Sequence, residues 1–199
     1  DKRWVYTQRY ARHAGEGRPV GLPDRLTSVV VVGQAMDHDL VDTVPSALSS
    51  AAGGLGYSKD ALVLLATAQW LRNLGYQAVP SLNDTALAIP LAIQAGLGEY
   101  GRHGLVITPE FGQRVRFGKI FTDAPVDHDA PVEFGVSAFC EVCRRCTDAC
   151  PPKAIPDGEP SPVKLNRSAI GGVRKWSVDG ERCFSYWTQI VTDCMICMR

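Results

Sequence analysis

Four of the seven cysteines in this 199-residue chain fall in FCEVCRRCTDACP (139–151), at Cys140, Cys143, Cys146 and Cys150, with Pro151 directly after the last. C-x-x-C-x-x-C-x-x-x-C-P is the bacterial-ferredoxin spacing for a cubic iron–sulfur cluster. Three thiolates from one tight loop reach three corners of a cubane, and the fourth corner must be held from elsewhere. In two-cluster ferredoxins the cysteine before the proline ligates the other cluster, so a second group of thiols is required. Cys183, Cys194 and Cys197 in ERCFSYWTQIVTDCMICMR supply it. The expected ligand sets are Cys140, Cys143 and Cys146 for one cluster, and Cys150, Cys183, Cys194 and Cys197 for the other. The first set lacks a thiolate and the second motif breaks off at Arg199. An eighth cysteine is therefore expected beyond that residue, and the chain is expected to be a fragment.

Other uses of cysteine fit less well. Disulfides leave an odd thiol and explain neither the spacing nor the proline. A four-cysteine zinc site comes as two C-x-x-C pairs with a longer spacer. Two cubanes relay electrons, so the residues upstream should hold an acceptor. There is no P-loop, and GGLGYS (53–58) lacks the strand-to-helix setting and following acid of a dinucleotide fingerprint.

The elements that must position such a centre are legible in outline. Hydrophobic content is 45% and charged content 21%, ordinary values for a chain that buries a core. Lys plus Arg equals Asp plus Glu at 21 each, which removes any bulk electrostatic case for a nucleic-acid partner or an acidic membrane. No apolar run approaches the roughly 20 residues of a membrane span. SVVVVGQAM (28–36) has the length and branching of a buried strand. TVPSALSSAAGGLGY predicts a helix that breaks before a turn, followed by a second helix capped by Ser58, with Asp60 in its first turn and Gly75 as its C′ residue. YQAVP (76–80) reads as a strand, SLNDT as a loop in which Asn83 and Asp84 compete to cap, and ALAIPLAIQAGL (86–97) as a helix. LVITP (105–109) and a half-exposed RVRFGKIFTD (114–123) read as strands. The Pro- and Asp-rich APVDHDAPVEFG links these to the cysteines. Alternating strands and helices give an α/β or α+β class, divided as a tail over 1–27, a core over 28–125 and a cysteine domain over 126–199.

Residues 54–123 resemble the corrinoid-binding catalytic domain of the reductive dehalogenases. LGYQAVPSLND, IPLAIQAGLGEYGRHGLVITPEFG and RVRFGKIFTD occur in the family's order, and the two-cluster segment with KWSVDGERCF follows at its distance. The resemblance implies a nitroreductase-like α/β core that holds base-off cobalamin, with a ferredoxin-like domain of two 4Fe-4S clusters behind it. It implies reductive cleavage of a carbon–halogen bond by reduced corrinoid, followed by protonation. Residue by residue, it assigns the proton-donating tyrosine to Tyr57, the amide to Asn83 and the basic residue to Arg116, with Lys119 as the alternative base. The chemistry suits these types. A free phenol titrates near 10, and a guanidinium nearby, always charged, favours the phenolate and eases proton release.

The same resemblance makes AGLGEYG (95–101) backbone brought close to a bulky planar ligand, through Gly96, Gly98 and Gly101; a plain tight turn is the alternative. None of His13, His38, His103 and His128 stands in D-x-H-x-x-G, the pattern of a lower cobalamin ligand, and all four read as surface or loop residues. Trp176 and Phe184 are expected to shield the clusters from water. The implied partners are an organohalide substrate, an electron-donor protein or quinol-linked chain, and a membrane-anchor subunit for exported respiratory members. Catabolic members stay in the cytoplasm, and these motifs do not separate the two. Epoxyqueuosine reductase shares core and clusters but is expected to use an acidic proton donor and a basic RNA-contacting surface. A plain ferredoxin-type carrier needs no upstream domain of this size.

Overall fold

The computed structural model describes residues 22–83 and 85–199; His13 and Asp84, weighed above, lie outside the described residues, as does most of the expected tail. In chain order the elements are β1 (Ser28–Ala35), α1 (His38–Asp42), α2 (Ala47–Asn73), β2 (Ala78–Ser81), α3 (Ala88–Gln94), β3 (Glu99–Tyr100), β4 (Val106–Ile107), β5 (Val115–Thr122), α4 (Val136–Cys143), α5 (Arg145–Ala149) and α6 (Gly180–Ile190), then a 3₁₀ turn at Ile196–Met198. The class is mixed α/β. Among the described residues no helix is long and apolar enough to cross a membrane. Contacts divide the chain into two compact units, and the division is not a single cut. One unit takes the segment ending at Gln34, Gly56–Leu97 and Arg116–Pro131; the other takes Ala35–Leu55, Gly98–Val115 and Val132–Arg199.

The first unit is built on a three-stranded sheet ordered β1-β5-β2, with β2 antiparallel to β5 from Ala78↔Thr122 to Ser81↔Lys119. Side chains alternate across a strand, so the valine run of β1 divides between two faces. Val30 and Val32 join Ile120 against Leu64, Ala68 and Leu71 of α2. Val29 and Val31 join Phe121 against Ala86 and Leu91. This corrects the reading of 114–123 as half-exposed. β5 is the central strand with apolar clusters on both faces, and Phe117 through Thr122 are all buried.

The predicted break before Ser58 is also absent. α2 runs unbroken through Gly53, Gly54 and Gly56. Its start lies earlier, where the Ser49 amide donates to Ser46 Oγ and the Ser46 amide to Ser49 Oγ, each 3.2 Å, a reciprocal cap. Glycine inside a helix costs about 1 kcal/mol relative to alanine, and the burial of Ala52 before and Leu64 after the glycines offsets it. Ser58 is therefore interior. The C-terminal reading holds: Gly75 has φ 95°, its amide donates to Arg72 O, and the Tyr76 amide donates to Leu71 O.

Among the described residues the second unit holds three small cores. Met36, Val41, Val44 and Ala52 bury Met195 and Met198. Val136, Cys140 and Trp176 pack with Ile107. Cys150, Ala154 and Ile155 pack with Cys146, Val178, Cys183 and Cys197. A two-residue hairpin pairs β3 with β4. His103 follows β3 in a turn, as expected, but is buried. Its Nδ1 accepts from the Leu105 amide at 3.3 Å, and burial pushes its pKa down to about 4. A base whose folded pKa is depressed stabilises the fold fully above its unfolded value near 6.5, and that stability is lost as pH falls toward 4. Between about pH 7.5 and 5 the loss is about 2 kcal/mol. Thermal melting at those two pH values should show it, with the difference shrinking in His103→Gln; an equal pH response in both proteins would refute the assignment.

Candidate functional site

The buried stripe of α2 is apolar at Leu64, Ala68 and Leu71 and turns polar one helical step earlier, at Asp60 and Tyr57. It faces the even-numbered residues of β5. Arg116 lays its guanidinium 4.2 Å from the centre of the Tyr57 ring and donates from Nη1 to the tyrosine hydroxyl at 2.9 Å. Asn83, exposed in the loop after β2, donates from Nδ2 to the same hydroxyl at 2.7 Å. The three residues named from sequence thus meet at one oxygen. With both donors pointing at that oxygen, the phenol's own proton is directed at neither, and it is available to a third group. Two donors, one of them cationic, also stabilise the negative charge left when that proton departs.

Lys119, the alternative base, does not join them. It is 0% exposed, on the opposite face of β5, and its Nζ donates to Leu82 O and, at 3.0 Å, to Ala86 O. It therefore ties down the two ends of the loop that carries Asn83.

Cys150 packs with Cys146, Cys183 and Cys197 in one apolar cluster, and Cys140 packs with Val136 and Trp176 in another. All seven cysteines are free. Cys183, Cys194 and Cys197 are each pushed up by burial first and then by the proximity of neighbouring thiols. The neighbours of Cys183 are Cys150 and Cys194, that of Cys194 is Cys150, and those of Cys197 are Cys183, Cys194, Cys150 and Cys146. Cys197 reaches about 12. Cys146 is raised by burial and by Cys140. Crowded, desolvated thiolates repel one another, and a multivalent cationic group in their midst relieves that cost. Amides already point at two of the sulfurs: Ala154 N to Cys150 Sγ at 3.3 Å and Arg102 N to Cys140 Sγ at 3.5 Å. The residue types fit iron–sulfur ligation, while among the described residues no three of them stand close enough together to hold a metal ion.

Two residues that hold this region were missed in the sequence. Buried Arg102 donates from Nε to Cys140 O at 2.9 Å and from Nη1 to Pro156 O and Gly158 O, with its guanidinium 4.7 Å over the Trp176 ring. Glu99 accepts from the amides of Phe134, Val136 and Ser137 at the start of α4. Burial alone would raise the Glu99 pKa, but these amides with that of Gly135 hold it below its ordinary value. Nothing in GEYGRHG marks either role, because both partners lie more than thirty positions away. Trp176 packs on Cys140 as expected of a shield. Phe184 is 63% exposed, one step along α6 turning it about 100° from Cys183.

The glycines have a local explanation. A Cβ at Gly98 would lie 2.2 Å from Ile107 O, and one at Gly101 would lie 2.7 Å from His103 Cε1. The close approach they permit is to the chain's own hairpin, while Gly96, with φ 70°, ends α3.

Known proteins share this sequence and this fold. A family model described as reductive dehalogenase subunit matches residues 15–126. A tetrachloroethene reductive dehalogenase of Desulfitobacterium hafniense is 43% identical over 175 residues, covering 86% of this chain and 32% of the relative. The chain therefore spans about a third of that relative's length. The structure of a catabolic reductive dehalogenase, NpRdhA, superposes with a TM-score of 0.78 at 26% identity over 85% of this chain and 24% of that one. An epoxyqueuosine reductase of Lactococcus garvieae matches less of it, 32% identical over 53% of this chain. The stretch from the β1 strand to the linker, with Tyr57, Asn83 and Arg116 at one oxygen, lies inside the family match, and the chain belongs to the reductive dehalogenase family.

Proposed function

We propose that this chain carries the proton-donating and electron-delivering parts of a corrinoid- and iron–sulfur-dependent reductive dehalogenase. The observation that carries the reading is the Tyr57 hydroxyl, which accepts from Arg116 and Asn83 and keeps its own proton free. Bound reduced corrinoid supplies the electrons that break the carbon–halogen bond, and two 4Fe-4S clusters bring them there. The balance is one organohalide, two electrons and one proton giving the hydrogenated product and halide. Tyr57 gives the proton to the carbon that has lost its halogen. Arg116 and Asn83 hold the resulting phenolate until a solvent proton replaces it.

Cys140, Cys143 and Cys146 ligate one cluster, and Cys150, Cys183, Cys194 and Cys197 the other, in a ferredoxin-like arrangement behind a nitroreductase-like core. The family resemblance supports Gly96, Gly98 and Gly101 as corrinoid-facing backbone. An electron-donor protein and, for an exported enzyme, a membrane anchor complete the proposed partners. The epoxide-reductase reading is weaker, because a phenol stands at the donor position and Asp60, on the same helix, is buried.

The test uses the full-length holoenzyme with cobalamin and clusters, a low-potential reductant, and substrates that relatives suggest: tetrachloroethene, the substrate in the name of the Desulfitobacterium hafniense relative, and 3-bromo-4-hydroxybenzoic acid, with which NpRdhA has been studied in complex. Halide release that requires corrinoid supports the proposal. Corrinoid binding with no halide from either compound, beside turnover of an epoxyqueuosine-containing RNA, would overturn it.

A further inference from the structure

Asp60 is a carboxylate in the middle of a 27-residue helix, 1% exposed, on the stripe that buries Leu64, Ala68 and Leu71. A lone acid in such a place is costly unless its charge is matched. Burial pushes its pKa above the ordinary carboxylate value, and the charges of Lys119 and Arg116 oppose that rise. Its Oδ1 has no hydrogen-bond partner among the described residues, and neither has the buried Nε of Arg116. One orphan is an acceptor and the other a donor.

The backbone brings them to the same ground. Asp60 follows Tyr57 by three residues, so both stand on one side of α2. Arg116 and Gly118 are two apart on β5, so both face that side of the sheet. The Asp60 carboxylate lies directly on Gly118, where an added Cβ would stand 2.5 Å from Oδ1 and 2.8 Å from Oδ2. Glycine at 118 thus leaves room for a carboxylate beside Arg116, and any larger residue would push it away.

We propose that Asp60 is the positioning residue of the proton-donating pair: its buried carboxylate, seated on Gly118, is the charge partner of Arg116 and through that charge, without a direct bond, holds the guanidinium over the Tyr57 ring. The inference rests on the proton-donor role proposed above for Tyr57. A long, flexible arginine stacked on a half-exposed ring keeps that pose more firmly when a fixed negative charge stands near it, and Asp60 is held buried in the middle of α2. Asn83 is held through Lys119 and the carbonyls of Leu82 and Ala86. Lys119 also acts on Asp60, more strongly than Arg116 does, so the two donors to the tyrosine oxygen share one buried charge network.

The experiment compares Asp60→Asn and Asp60→Ala in the full-length holoenzyme, alone and with Arg116→Gln. If charge is what matters, both single variants lower kcat by a similar factor, about tenfold or more, with KM unchanged. Neither then lowers it further once Arg116 is Gln, because the two residues act as one. A crystal structure of the Asp60→Asn variant gives a readout independent of turnover: the guanidinium should leave its place 4.2 Å above the Tyr57 ring. An unmoved guanidinium, additive losses in the double variants, or an Asp60→Ala defect much larger than that of Asp60→Asn would each overturn the proposal in favour of simple packing. Absence of halide release from the unsubstituted enzyme would instead overturn the functional reading, and the crystal structure would still decide the role of Asp60.

Discussion

Replacing Tyr57 by phenylalanine in the full-length holoenzyme is expected to lower halide release by roughly 10²–10⁴-fold, the usual worth of a positioned general acid. The ring stays, so the stacking of Arg116 at 4.2 Å is kept. What goes is the one oxygen on which Asn83 and Arg116 converge. Asn83 is exposed and finds water in its place, so the cost to the fold is small, about 1 kcal/mol or less. Corrinoid content, cluster content and melting temperature should match those of the unsubstituted protein. A Phe variant that releases halide at the original rate would remove Tyr57 from the mechanism. Reduced cofactor content would show that the residue acts by structure instead.

The second large effect concerns which cluster a single cysteine serves. Cys150 is four residues from Cys146 and packs in one cluster with it, yet Cys150 acts on Cys183, Cys194 and Cys197 alike. Cys150→Ala is therefore expected to abolish the cluster of the later cysteines and spare the one held by Cys140, Cys143 and Cys146. Iron should fall from about eight to about four per chain. Electron paramagnetic resonance of the reduced protein should lose the interaction between two clusters and keep the signal of one. Cys183→Ala should give the same spectrum, and Cys140→Ala the complementary one. If Cys150→Ala and Cys140→Ala gave matching spectra, the crossed assignment would be wrong.

Much of the site was legible because its signals are local. The cysteine spacing fixes which thiols leave the loop together, and Gly75 marks a helix end by a backbone angle few other residues adopt. Tyr57, Asn83 and Arg116 were found by family resemblance, not by any property of their own segments. Two features misled. Glycines at 53, 54 and 56 suggest a break, yet packing on both sides of them carries α2 through. Alternation in RVRFGKIFTD suggests one wet face, yet Gly118 and Lys119 are polar or small for reasons internal to the core. Asp60 reads as a first-turn acid only while the helix is started at Ser58. Once α2 begins at Ala47, an acid at the i−4 position from Leu64 stands on the buried stripe and asks for a counter-charge. Arg102 and Glu99 were invisible because every partner they hold is remote in sequence.

The division of the chain has a consequence for how such enzymes exchange parts over evolutionary time. Met195 and Met198, on either side of Cys197, are buried by Met36, Val41, Val44 and Ala52, and Gln113 donates to the Met198 carbonyl. A recombination event that replaced everything after Pro131 as a block would separate these residues from the partners they have been fitted to. The incoming cysteines would arrive with methionines shaped for someone else's helix. Exchange is therefore expected to succeed only between close relatives, or when Ala35–Leu55 and Gly98–Val115 travel with the tail. The cysteine-bearing tail is therefore expected to be inherited with its scaffold and to diverge with it, rather than to circulate as a detachable cassette.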